Sequence, residues 1–160
     1  MSAALRVAVV FPDLLGTYGD GGNGLILARR AEWRGYEVEL LQAASDRPVP
    51  DADLYCLGGG EDGPQVRAAR TLMEDATLPR RVAGGAVVLA VCAGFQVAGR
   101  VVGTYLHGPV LARNPALADR LLAWALDVEE LAPLDDRAAE ALREERLAAT
   151  GARGRFRRRK

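Results

Sequence analysis

The sequence predicts an α/β fold built on a doubly wound, mostly parallel sheet, and three observations predict it. Short apolar runs alternate with helix-length segments along residues 5–126. One of these runs, AVVLAV at 86–91, is apolar throughout, as a parallel strand covered on both faces has to be. Three unusual stretches, GTYGDGGN, GGGED and CAGF, each follow a predicted strand. Open α/β sheets build their sites at that carboxyl edge.

The elements follow in order. LRVAVVF (5–11) reads as a buried first strand, PDLLGTYGDGGN as a glycine-rich loop, and residues 24–34 as a helix stopped by Gly35. YEVELLQ (36–42) is the second strand, the Pro/Asp cluster at 46–51 a connection, and DLYCL (53–57) the third strand. After GGGEDG, the segment PQVRAARTLMEDA predicts a helix with Val66, Ala69, Leu72 and Met73 on its apolar face. A short basic segment leads to Gly85, and AVVLAV, the most apolar strand, is expected at the centre of the sheet. Asn114 and Pro115 suit the N-cap and first turn of a helix through ALADRLLAWAL, and a last helix is expected to be capped near Asp135.

Composition bounds the rest. A chain of 160 residues with 49% hydrophobic content suits one domain with a packed core, here assigned to residues 1–150. The remaining ten residues, GARGRFRRRK, hold six basic groups and no acid, and read as a solvated, disordered tail with no nucleic-acid role assigned. No run approaches the length of a membrane span, and the first residues lack a signal-peptide pattern, so no membrane insertion is expected and the compartment expected is the cytoplasm. Two cysteines, Cys56 and Cys92, are too few for a disulfide framework and have no neighbours at zinc-site spacing; no metal site is expected.

The chemistry gathers in the loops. AVVLAVCAGFQ is an apolar strand, a reactive residue, a small residue and glycine, then a helix: the layout of a nucleophile elbow. Such a turn would expose the Cys92 thiol at a helix N-terminus, where the helix dipole favours thiolate. The bland alternative is a small buried hydrophobe, which is the reading preferred for mid-strand Cys56. The N–H of Ala93 is one candidate oxyanion donor, and Gly59 and Gly60 of LGGGED supply candidates for the other; an ordinary glycine turn is the alternative. GTYGDGGN could cradle an anion at the next helix N-terminus, yet it has neither the P-loop lysine nor the dinucleotide-binding spacing. His107 is the only imidazole in the chain and so the only candidate histidine base for an acyl-transfer cysteine. A helix over 94–100 descending about 10 Å, followed by VVGTYL climbing about 20 Å as a parallel strand, would return His107 to the Cys92 edge. That crossover is at the short limit of what parallel strands use.

Taken together, LLGTYGDGGN, LGGGED, VCAGFQ and GTYLHGPVLARNPALADRLL resemble the GatD family, the glutaminase subunits of lipid II isoglutaminyl synthases among the cobyric-acid-synthase-like class I glutamine amidotransferases. The resemblance implies a flavodoxin-like class I amidotransferase fold. It also implies a cysteine, here Cys92, that attacks the carboxamide of L-glutamine and forms a glutamyl thioester, with His107 as its base and the GGG loop and Ala93 as oxyanion donors. Ammonia would pass to a MurT-like Mur ligase partner in a heterodimer, which amidates the D-glutamate of lipid II, a peptidoglycan precursor. No cofactor is implied in this chain; ATP and Mg belong to the partner ligase.

Two departures accompany the resemblance. Many class I amidotransferases carry an acid two residues after the histidine, and here that place is Pro109. The carboxylate that orients His107 therefore comes from elsewhere or is absent, and the resemblance implies the partner subunit as its source. Only 14 residues separate Cys92 from His107, and the join AGRVVGT looks like an internal deletion of a stretch that in the family carries pocket walls and a glutamine-binding arginine. Arg100 is the nearest arginine and is not given that role. Two other readings stay open: an amidotransferase with a cobyrinate-type acceptor, and a noncatalytic partner-binding subunit with an incomplete pocket.

Overall fold

The computed structural model describes residues 4–91 and 100–149. Five strands, β1 (Leu5–Val10), β2 (Val38–Ala43), β3 (Leu54–Leu57), β4 (Val87–Val91) and β5 (Val101–Thr104), form one sheet in the order β2-β1-β3-β4-β5. Every neighbouring pair is parallel. This is the flavodoxin-like order of doubly wound folds, as expected.

The strands read as continuous apolar runs because both faces are covered, and alternate residues belong to two separate cores. Leu5, Val7, Leu54, Cys56, Val87 and Leu89 pack on one side with Leu27 and Ala31 of α2 (Gly22–Glu32) and Ala118, Leu121 and Leu122 of α5 (Pro115–Leu126). Ala8, Val10, Tyr55, Leu57, Val88 and Ala90 face the other side. There they meet Leu15 of α1 (Pro12–Leu15) and Ala68 of α3 (Asp62–Asp75), with Leu78 and Val82 of α4 (Thr77–Ala83) packed at the margin. The edge strands are less covered: β2 is largely exposed or half-buried, and β5 is only four residues long.

Several expectations change. β4 is fully buried but lies second from one edge, and β3 is the middle strand; being covered on both faces is enough to make a run apolar, wherever in the interior it lies. On α3, Val66, Ala69 and Met73 are exposed, and of the four anticipated residues only Leu72 packs against the core. The face that turns inward is Gln65, Ala68, Leu72 and Asp75, in which Gln65 donates to the Gly60 carbonyl and Asp75 accepts from the Val49 N–H at 2.6 Å. Polar residues that bond to backbone hid that face from a hydrophobicity count. The loop after β1 contains α1, and the basic segment before Gly85 is α4.

The boundaries of α5 are as predicted, but Asn114 does not cap it with its side chain; its amide donates backward to the Val110 carbonyl at 2.8 Å. α6 (Arg137–Ala149) starts as anticipated beside Asp135, whose carboxylate accepts the Arg137 N–H at 3.3 Å. No helix among the described residues is long and apolar enough to cross a membrane. The basic tail and residues 94–99 of the helix proposed over 94–100 lie outside the described residues, and Arg100, the last of that span, is a bend before β5.

Candidate active site

The sheet order brings three loops to one place. The connection from β1 runs to β2 on one side, while that from β3 runs to β4 on the other, so a crevice opens between the carboxyl ends of β1 and β3. At the end of β1, Phe11 takes a left-handed conformation (φ 49°) and turns the chain into α1, its ring fully buried in the core. The following loop then carries Tyr18 and Asp20 to the start of α2.

Asp20 and Asn23 are both 1% exposed and hold the three loops together. Asp20 Oδ2 accepts the Gly59 N–H at 2.8 Å and Asp20 Oδ1 accepts the Gly108 N–H at 2.7 Å. Asn23 Oδ1 accepts the Leu111 N–H at 3.1 Å, and its amide points at the Gly108 carbonyl at 3.4 Å. Gly108 itself has φ +81°, the left-handed region that an L side chain resists, so the tight turn after His107 needs glycine.

His107 sits in this clamp. Its Nδ1 lies 3.4 Å from Asp20 Oδ2, and its ring centroid is 4.2 Å from that of Tyr18 with the planes tilted by 51°. Tyr18 in turn donates its hydroxyl to Glu61 Oε1 at 2.9 Å, just past the GGG loop. About a third of the imidazole side chain remains exposed. Against it lies an open cavity of about 390 Å³, whose wall includes Leu106, Val110, Arg113, Arg143 and Arg146. Three of the residues that line it are arginines.

The other candidates are placed as follows. Cys92 and Ala93 lie outside the described residues, but β4 ends at Val91, the residue before Cys92. Val91 pairs in register with Thr104 of β5, three residues before His107, and β5 runs parallel to β4 as the short return requires. The Gly59 N–H, a candidate oxyanion donor, already serves Asp20, and the Gly60 carbonyl accepts from Gln65. The triple glycine has a packing reason as well: Gly58 lies so close to α1 that a side chain there would strike the Leu15 carbonyl.

Cys56 is buried in β3, and burial pushes its thiol up to about 12, which makes it a structural residue. Arg100 is held at the end of α5, donating to the Trp124 carbonyl at 2.5 Å and to Asp127 Oδ1 at 2.9 Å.

Asp20 stands out in the structure and hardly at all in the sequence. Its one signal there is an acid set among glycines at a strand's carboxyl end, in a chain whose histidine lacks an acid two residues on.

The sequence is similar to that of known proteins. The chain is 33% identical over 99 residues to the lipid II isoglutaminyl synthase (glutamine-hydrolyzing) subunit GatD of Streptococcus pneumoniae, an alignment covering 60% of this chain and 38% of that protein. It is 30% identical over 103 residues to the subunit of the same name from Staphylococcus aureus, covering 60% of this chain and 42% of that one. The chain therefore spans about two fifths of the length of these curated relatives. Residues 6–102, more than half of the 160, match the CobB/CobQ-like glutamine amidotransferase domain, and with its parallel sheet in the flavodoxin-like order the chain belongs to that family.

Proposed function

We propose that this chain is a glutaminase subunit that hydrolyses L-glutamine through Cys92 and supplies ammonia to a MurT-like ligase, which amidates the D-glutamate of lipid II. The observation that carries the reading is the pairing of Val91 with Thr104: the strand that leads to Cys92 and the strand that leads to His107 are neighbours ending at one edge. The similarity to two GatD subunits supports the acceptor.

In this mechanism His107 takes the thiol proton and the Cys92 thiolate adds to the carboxamide carbon of glutamine. The tetrahedral intermediate collapses as the C–N bond breaks, with His107 returning the proton to the departing ammonia. Water, deprotonated by the same imidazole, then cleaves the thioester to glutamate and the restored thiol. The Ala93 N–H and the Gly60 N–H are the donors proposed for the developing oxyanion, since the Gly59 N–H is engaged by Asp20. The arginine-lined cavity beside His107 has the size of a small-molecule site, and its arginines suit the α-carboxylate of glutamine.

The test is ammonia release from glutamine by the chain alone and co-purified with a Mur-ligase-like partner, with Cys92→Ala as control. Release that depends on Cys92 supports the reading; release unchanged in Cys92→Ala removes Cys92 as nucleophile. The short connection over residues 92–100 favours a second reading, a noncatalytic subunit that docks on the ligase, and silence in every combination despite complex formation would select it. Transfer of ammonia to a cobyrinate-type carboxylate in place of lipid II would replace the acceptor and leave the glutaminase chemistry intact.

A further inference from the structure

We propose that Asp20 is the positioning residue for His107, fixing the imidazole as its Nδ1–H tautomer so that Nε2 carries the basic lone pair. The role in catalysis rests on the glutaminase reading above; the tautomer does not.

The inference starts from the burial of the carboxylate. The Asp20 side chain is fully buried, and an ionised carboxylate there is tolerable only if donors surround it. Two of these are backbone N–H groups, those of Gly59 and Gly108, one on each oxygen. They come from two different loops and prevent the carboxylate from rotating. An ionised carboxylate only accepts hydrogen bonds, so an imidazole nitrogen facing it is stable when it bears a proton. Nδ1 is the nitrogen that faces Oδ2, which leaves Nε2 as the acceptor. The Tyr18 ring packs on the imidazole and limits its tilt, and the Tyr18 hydroxyl is itself held by Glu61.

The separation of 3.4 Å is long for a hydrogen bond, and catalytic contacts of this kind tighten when substrate is bound. The acid that Pro109 lacks is thus supplied by the loop after β1, from within the same chain.

His107 is the only histidine, so its ring nitrogens can be read without assignment by mutation. In uniformly ¹⁵N-labelled full chain at mildly alkaline pH, long-range ¹H–¹⁵N spectra should give Nδ1 a protonated, pyrrole-type shift and Nε2 an unprotonated, pyridine-type shift. Asp20→Asn should move the ring toward the Nε2–H form. A wild-type ring that is mainly Nε2–H, or a tautomer ratio unchanged in folded Asp20→Asn, overturns the proposal. Should Asp20→Asn not fold, the wild-type spectrum decides alone.

In the glutaminase assay, with the partner present, Asp20→Asn should lower kcat by about 10²–10⁴-fold with KM close to wild type. A loss confined to KM would overturn the positioning role. Wild type with no glutaminase activity would overturn the function proposed above, while the tautomer would still decide whether Asp20 holds His107.

Discussion

Gly58 and Leu15 leave no room between them: a Cβ on Gly58 would stand 1.9 Å from the Leu15 carbonyl oxygen and 2.9 Å from Asp20 Cβ. The first contact is with backbone, which a rotamer change cannot relieve. Gly58→Ala should therefore cost about 3 kcal/mol, the upper end for overpacking, and lower Tm by roughly 6–12 °C in a chain of this size. Because α1 and the Asp20 loop must shift together, the His107 signals should move in the same variant. Differential scanning fluorimetry and the ¹⁵N spectrum read the two effects separately, and a Tm within a degree of wild type would show that the loops separate at little cost.

The Tyr18 ring and its hydroxyl have separable tasks. The ring packs against His107, and the hydroxyl ties the loop to Glu61 beyond the GGG turn. Tyr18→Phe keeps the ring and should retain most of the proposed glutaminase rate, whereas Tyr18→Ala removes the packing surface and should lower kcat by about tenfold, equivalent to about 1.4 kcal/mol in the barrier. That is the scale of a single aromatic contact. Equal rates for the two variants would assign Tyr18 no part in holding the imidazole.

How much of this was legible beforehand follows from which interactions leave a pattern in sequence. The parallel sheet is visible because strands covered on both faces must be apolar without alternation, and AVVLAV and LRVAVVF are. Strand order is another matter: β4 and β3 are equally buried, and nothing in their composition says which lies in the middle. The inward face of α3 leaves no apolar pattern because Gln65 and Asp75 on it are polar and bond to backbone. At the candidate site, His107 is conspicuous as the only imidazole, while Asp20 is hidden among glycines. Its importance depends on the Gly59 and Gly108 N–H groups, contributed by loops that are distant in sequence and meet only once the sheet is ordered.

The two cysteines should differ in reactivity. Cys56 is buried within β3 and burial pushes its thiol up to about 12, so at pH 8 it stays a protonated thiol out of reach of reagent. In the Cys92→Ala variant, which leaves Cys56 as the only cysteine, a thiol-reactive chromogenic disulfide should find no group in the native protein and one after unfolding in urea. Rapid native labelling of that variant would mean that β3 is accessible, and would remove Cys56 from the core.

A buried ion-pair network fastens the C-terminal part of the chain to α2. Arg30, 5% exposed, bonds Asp119 through Nε at 2.8 Å and Nη2 at 2.9 Å, and bonds Asp136, just before α6, through Nη1 at 2.5 Å and Nη2 at 2.8 Å. Arg34 reaches the same Asp119 at 2.8 Å and the Ala132 carbonyl at 2.6 Å. Arg30→Met leaves Asp119 to Arg34 but takes both hydrogen bonds from the half-buried Asp136, so it should cost about 1–3 kcal/mol at neutral pH in urea unfolding. The hydrogen bonds from Arg30 hold the Asp136 carboxyl below its ordinary range, with partial burial opposing them.

A depressed folded value fixes the sign of the pH dependence. The Asp136 contribution is fully present above the unfolded carboxyl value of about 3.9 and is lost as pH falls through the lower, folded one. The stability difference between wild type and Asp136→Asn should therefore be constant from neutral pH down to about 5 and shrink below about 4. Because Asp136 stands at the start of α6, and α6 contributes Arg143 and Arg146 to the cavity beside His107, Asp136→Asn should also raise KM for glutamine more than it lowers kcat. A pH-independent stability difference would show that Asp136 is not held as a carboxylate by Arg30, and an unchanged KM would show that α6 does not form a wall of the proposed glutamine site.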